Sequence, residues 1–139
     1  MPSCTDYAWL AGVIDGEGSI ALTWIGKGKV PGLKIIIYGS DLLVMNKVRA
    51  IIRAAGIWCS YSPDNRTGKS NYRVSISSKA CIKLYPLVSP YMVRQISRYK
   101  AGVEFLTPRY ALPLVNGARW DADGRDAFKR LRAAHGLNH

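Results

Sequence analysis

Two carboxylates, Asp15 and Glu17, stand on a glycine-rich corner, Asp15-Gly16-Glu17-Gly18. An acid on a tight corner is the type of ligand a hard divalent cation takes. Mg²⁺ uses one or two carboxylates and completes its shell with phosphate oxygens and waters. Such a centre could activate a water and stabilise the leaving oxygen of a phosphodiester. Gly16 and Gly18 let the backbone approach a phosphate or present a carbonyl to a metal. Taken alone, the corner reads equally well as a surface glutamate at a helix end. Asp15 lies near a helix C-terminus, where an acid is electrostatically unfavourable. That gives it a hydrogen-bonding job rather than a catalytic one.

The corner needs a helix before it and a strand after it. Trp9 and Val13, and Leu10 and Ile14, are spaced four apart as one apolar stripe of a helix. Ser3 with Asp6 fits a capping box that opens this helix. Ala8, Gly12 and Gly16 are also spaced four apart, on another face. Glycine costs a helix roughly 1 kcal/mol relative to alanine, so these small residues point to a close backbone neighbour. Ile20, Leu22 and Trp24 then alternate with Ser19, Ala21 and Thr23 as a half-buried strand.

The chain has 139 residues, 20 Lys and Arg against 9 Asp and Glu, and a formal charge of +11. That length suits one domain, with a core over about residues 6–106 and a C-terminal extension over about 107–139. Between Lys27 and Arg109 there are 15 basic residues and 3 acidic ones. A basic middle of that size fits a polyanion, and nucleic acid is the usual one. No basic amphipathic helix suits a membrane surface, and no transmembrane run is present. Cys4, Cys59 and Cys81 are scattered and odd in number, which fits an intracellular, reducing compartment rather than a disulfide framework or zinc site.

Further along, Leu33 to Tyr38 reads as a second strand, too uniformly apolar to show which side faces inward. Ser40 or Asp41 caps a helix to about Ala55, with Leu42, Met45, Val48 and Ile52 as its stripe. Strands follow over 57–62 and 71–77, then a helix capped by Ser78 and another from about Val93 to Leu106. An irregular stretch with Pro108 and Pro113 leads to a last helix over about 123–134. The order is an α+β layout, αββαββα with C-terminal helices and one four-stranded antiparallel sheet. Helices cover one face. The other presents Ser19, Thr23, Asn71, Arg73 and Ser75, with Lys27, Lys29, Lys34, Arg66 and Lys69 as cations, a surface suited to duplex DNA.

The stretch Leu10-Ala11-Gly12-Val13-Ile14-Asp15-Gly16-Glu17-Gly18 resembles the signature of the LAGLIDADG homing endonucleases, and six of its nine positions match letter for letter. The family's fold has this same order of elements. The resemblance implies a site-specific double-strand DNA endonuclease. Its metal ligands would be the Glu17 carboxylate and the Gly16 carbonyl, with Mg²⁺ as cofactor and Ca²⁺ or Mn²⁺ able to substitute for binding or cleavage. It also implies a polar residue where the second strand meets the second helix, matched by Ser40. A basic residue is implied after the third helix, matched by Arg94 with Arg98 and Lys100 as rivals. A single motif implies a homodimer joined through Ala8, Gly12 and Gly16, cutting a long pseudo-palindromic site. The rival reading is a non-cleaving binder, such as an intron-RNA splicing maturase or a DNA-binding regulator. A third is a basic structural protein with no site.

Overall fold

The computed structural model describes residues 1–26, 29–64, 71–110 and 120–136, with the backbone alone at Asp64. Helix α1, Cys4–Glu17, opens on the expected capping box. The Asp6 amide donates to Ser3 Oγ at 3.2 Å, and the Ser3 amide donates to Asp6 Oδ2 at 3.0 Å. Its buried stripe is Tyr7, Leu10, Ala11 and Ile14. Trp9 and Val13, expected in the same stripe, are only half-buried at its margin. The Lys47 ammonium lies 4.4 Å from the centre of the Trp9 ring.

Strand β1, Gly18–Ile25, follows α1 without a loop. It pairs with β2, Val30–Gly39; β4, Asn71–Ser77, joins the far side of β2, and β3, Ser60–Asp64, forms the other edge. All pairings are antiparallel. Side chains alternate between faces along a strand, and the register settles the uniform run of β2. Leu33, Ile35 and Ile37 point inward with Ile20, Leu22, Val74 and Ile76, and all are fully buried. Lys34, Ile36 and Tyr38 lie on the outer face.

Helix α2, Leu42–Ala54, is capped by Asp41, whose Oδ1 accepts from the amides of Leu43 at 2.9 Å and Val44 at 3.4 Å. Met45, Val48, Ile51 and Ile52 form its buried face, whereas Leu42, expected there, is 45% exposed. The first turn therefore stands off the sheet. Ile57 and Cys59 are buried, but in a connecting segment, so β3 starts three residues later than expected. Helix α3, Lys79–Val88, begins after Ser78, which makes no side-chain capping bond. Ser78 sits at φ 44, and its amide donates instead to the Leu33 carbonyl.

Helix α4, Ile96–Tyr110, follows a 3₁₀ turn at Ser89–Tyr91 and runs four residues further than expected, across Pro108. Proline removes one helix donor. The helix around it is braced by side chains: Thr107 Oγ1 donates to the Val103 carbonyl at 2.7 Å, and Arg109 to that of Phe105 at 2.8 Å. The stretch Asp121-Ala122-Asp123-Gly124 starts helix α5, Ala122–Ala134. Asp121 is its N-cap and accepts from the Gly124 amide at 2.8 Å. Helix α5 joins the core rather than trailing from it. Phe128 is fully buried, with its ring edge-on to Trp24 at 5.1 Å and tilted against Phe105 at 5.6 Å.

The outer edge of β1 would expose unpaired backbone groups. Side chains occupy it instead. Gln95 Oε1 accepts from the Ile20 amide at 3.0 Å, Arg98 donates to the Ile20 carbonyl at 3.3 Å, and Arg132 of α5 donates to the Leu22 carbonyl at 2.7 Å. Phe128→Ala should therefore cost about 3–5 kcal/mol, as for truncation of a buried aromatic, and loosen α5 from β1. Thermal unfolding with limited proteolysis after residue 110 checks this. A parent-like melt with an intact C-terminus would show that α5 is not part of the cooperative core.

Candidate metal and nucleic-acid site

The corner lies where α1 meets β1. Helical residues are rotated by about 100° each, so carboxylates two positions apart face nearly opposite ways. Asp15 faces the protein. Its Oδ2 accepts from the amides of Val93 and Arg94, both at 2.7 Å, and its Oδ1 from that of Gln95 at 2.8 Å. These donors lie in the segment just ahead of α4, so Asp15 ties that segment to the end of α1 across 78 residues or more of sequence. Burial pushes its pKa up. The amides of Arg94, Gln95 and Val93, helped by the Arg94 charge, outweigh that and hold it below the ordinary carboxylate value.

Glu17 faces away and is exposed, as is Gly16. A cleft of about 250 Å³ opens beside it, lined by Glu17, Tyr38, Ser40, Asp41 and the side chains of Val13 and Val44. The structure thus brings Glu17 and Ser40 together from α1 and the β2–α2 junction. Arg94 is exposed and joined to the corner through its own amide on Asp15. The two rival cations have other work. Arg98 donates to the carbonyls of Ile20 and His135, and Lys100 pairs with Glu104 at 3.8 Å. Among the described residues no three His, Cys, Asp or Glu side chains converge. What is present is a single exposed carboxylate on an open corner. That donor set fits a cation that takes most of its shell from phosphate and water.

Gly18 is required for a different reason from the one its position in a turn suggests. Its backbone is extended, at φ −91, and its amide donates to the carbonyls of Ile14 and Val13. A Cβ there would lie 2.8 Å from the Ile14 carbonyl oxygen.

The outer face of the sheet is organised in cross-strand rows. Ser19 lies opposite Ile36, Ile36 opposite Ser75, and Ser75 opposite Ser60. Tyr38 lies opposite Arg73, and Arg73 opposite Ser62. Thr23, Lys34, Asn71 and Arg73 stand on this face, half-buried, and Ser19 is exposed. Ser75 is a correction: at 6% exposed it is enclosed by its neighbours in the row and offers little to a ligand. Tyr38, Ser60 and Ser62 belong to the face although sequence reading did not include them; only the pairing register reveals them. Arg73 Nε is buried without a hydrogen-bond partner. Lys29 is exposed and, with Thr23, Arg125 and Arg132, lines a broader cleft of about 590 Å³ at the end of the β1–β2 hairpin. Lys27, Arg66 and Lys69 lie outside the described residues.

On α1, Ala8 is half-buried, whereas Gly12 and Gly16 are exposed, with no atom beyond the helix's own backbone within 4 Å of where a Cβ would stand. Among the described residues no helix is long and apolar enough to cross a membrane.

No family model matches the sequence, and no curated protein does. Solved structures do match. The homing endonuclease I-CvuI in complex with its target, with Ca present, superposes at a TM-score of 0.73 over 98% of this chain and 83% of its own, with 14% identity. The same endonuclease in complex with the I-CreI target, with Mg present and the DNA not cleaved, matches at 0.70 over 99% and 85%, also with 14% identity. The chain therefore has the homing-endonuclease fold, over nearly its whole length.

The depressed pKa of Asp15 makes a pH prediction. A carboxylate whose folded pKa lies below its unfolded value contributes stability that is complete above the unfolded pKa, about 3.9. That contribution is lost as pH falls through the folded pKa. Asp15→Asn should therefore melt several degrees below the parent at neutral pH, and the gap should close as pH drops below about 4. A gap that does not change with pH would mean that the charge of Asp15 contributes nothing.

Proposed function

We propose that this chain is a homing endonuclease of the LAGLIDADG type, a homodimer that cuts both strands of a long pseudo-palindromic DNA site with a divalent metal, Mg²⁺ by preference. The observation that carries this reading is Glu17, exposed at the end of α1 and sharing a cleft with Ser40. It stands on a chain with the fold of I-CvuI, which binds target DNA with Ca or Mg present. A bound metal would polarise the scissile phosphate and lower the pKa of a water. Glu17 and the Gly16 carbonyl would hold it. Ser40 would orient waters from the far side of the cleft, and Arg94 would offset charge developing on the phosphate. The outer face of the sheet, with Lys34 and Arg73, would lie along the duplex, where cations add sequence-independent affinity and polar side chains reach base edges.

The dimer reading rests on the open face of α1. A Cβ at Gly12 or Gly16 would have no neighbour outside the helix's own backbone within 4 Å, and Val93, whose amide binds Asp15, is 82% exposed. A two-fold partner seated there would bring two Glu17 corners together, one for each DNA strand.

Cut ends from a randomised duplex library incubated with Mg²⁺, sequenced and aligned, test the activity. Glu17→Gln tests the site. The amide is a poor Mg²⁺ ligand, so cleavage should fall by orders of magnitude while duplex affinity in Ca²⁺ holds. Parent-like cleavage would remove Glu17 from the metal site. Joint loss of binding and cleavage would make the corner architectural and favour a non-cleaving binder.

Gly12→Val tests the dimer. A Cβ at Gly12 meets no atom outside the helix's own backbone within 4 Å in the single chain, and valine is a better helix former than glycine. The variant should thus stay folded yet sediment as a monomer at micromolar concentration. A dimer of normal stability would place the interface elsewhere.

A further inference from the structure

Gln95 holds the corner from behind. It lies just ahead of α4, half-buried, and its side-chain amide is used in full. Nε2 donates to the carbonyls of Ile14 at 3.0 Å, Asp15 at 3.3 Å and Gly18 at 2.9 Å. Oε1 accepts from the Ile20 amide at 3.0 Å, and the backbone amide of Gln95 donates to Asp15 Oδ1 at 2.8 Å. The amide orientation follows from this network, since an N–H from Ile20 needs the oxygen. The carbonyls it binds bracket Gly16 and Glu17: two precede them on α1 and one follows on β1.

This arrangement answers a physical problem. A helix that turns directly into a strand leaves its last carbonyls without helical partners. The glycines that make the corner tight also make it pliable. An exposed glutamate on such a corner wanders unless its backbone is fixed. We infer that Gln95 is a positioning residue for Glu17, one that sets the backbone on both sides of the proposed metal ligand without touching metal or DNA. This rests on the reading of Glu17 as that ligand. Groups that orient a metal ligand commonly change metal affinity or activity by roughly 10–100-fold when removed.

Two variants separate positioning from mere support of the β1 edge. Gln95→Met keeps the side-chain length and removes both polar functions. Gln95→Glu keeps an acceptor for the Ile20 amide and sets a carboxylate against the three carbonyls. Single-turnover cleavage should fall roughly 10–100-fold in both, with Gln95→Glu no better than Gln95→Met. Duplex affinity in Ca²⁺ should hold. The Mn²⁺ bound by the protein–DNA complex, followed by its spin-resonance signal, should be held more weakly in both variants. If Gln95→Glu cleaves and binds Mn²⁺ like the parent, Gln95 only caps the strand edge and the proposal is overturned. If Gln95→Met does not fold, Gln95→Glu decides; if neither folds, the residue is a structural strut and the proposal falls. Amide exchange gives a readout independent of cleavage. Ile20 should exchange faster in Gln95→Met, and unchanged exchange would also overturn the proposal. A parent chain that cleaves no duplex would instead overturn the reading of the site, while accelerated exchange would leave the clamp standing.

Discussion

Three backbone amides converge on one carboxylate, and much of the molecule's arrangement depends on that contact. The amides of Val93, Arg94 and Gln95 lie in the segment ahead of α4, and Asp15 lies near the C-terminus of α1. Each alone is unfavourable: an acid at a helix C-terminus, and backbone donors without a partner. Joined, each neutralises the other. The contact also ties the end of α1 to the segment that leads into α4, and α4 packs on β1 and β2. There Gly102 lets that helix approach Leu22 and Leu33 closely; a Cβ on it would lie 2.8 Å from Leu33 Cδ1.

The two acids of the corner owe their different fates to helix geometry. Two residues correspond to about 200° of rotation, so anchoring Asp15 inward turns Glu17 outward. One residue is consumed by structure and the other is released to solvent beside Ser40. A corner with one acid would have to choose between being held and being reactive. A similar division extends to the cations nearby: Arg98 of α4 is spent on the β1 edge and the C-terminus of α5, whereas Arg94, just ahead of α4, is tied through its backbone amide and stays exposed.

Local signals in the sequence were sufficient for the elements whose cause is local. The capping box at Ser3, the Asp41 cap and the alternation of β1 all depend on residues a few positions apart. The features that were not legible depend on register or on distant partners. The outward side of β2 is set by pairing, because Leu33–Tyr38 has no alternation of its own. Ser75 looks like a surface serine until the row places Ile36 and Ser60 on either side of it. Pro108 stops a helix by the usual rule, yet Thr107 and Arg109 brace the turn that it weakens. Gln95 carries no local signal, since its partners lie more than seventy positions away. Of the candidate site, Glu17 and Ser40 were named from the motif and the chain order, while the Gln95 contacts behind them were not.

The architecture separates holding from reading. Along each strand, alternate residues face opposite ways. The inward set, among them Ile20, Leu33, Ile35, Val74 and Ile76, carries the core. The outward set, among them Ser19, Lys34, Tyr38, Arg73 and Ser62, carries whatever the sheet meets. Substitutions on the outer rows change contacts with a partner without opening cavities, whereas truncation on the inner rows costs several kcal/mol. Apart from Tyr38, which lines the cleft beside Glu17, and the Ile20 amide that Gln95 holds, the corner is fixed by α1, Gln95 and the segment ahead of α4 rather than by strand side chains. In the proposed complex, the DNA sequence recognised could therefore drift by changes on the sheet while the cleavage geometry stays constant. That independence is a consequence of an alternating sheet joined to a separately clamped corner, and it holds whatever the target.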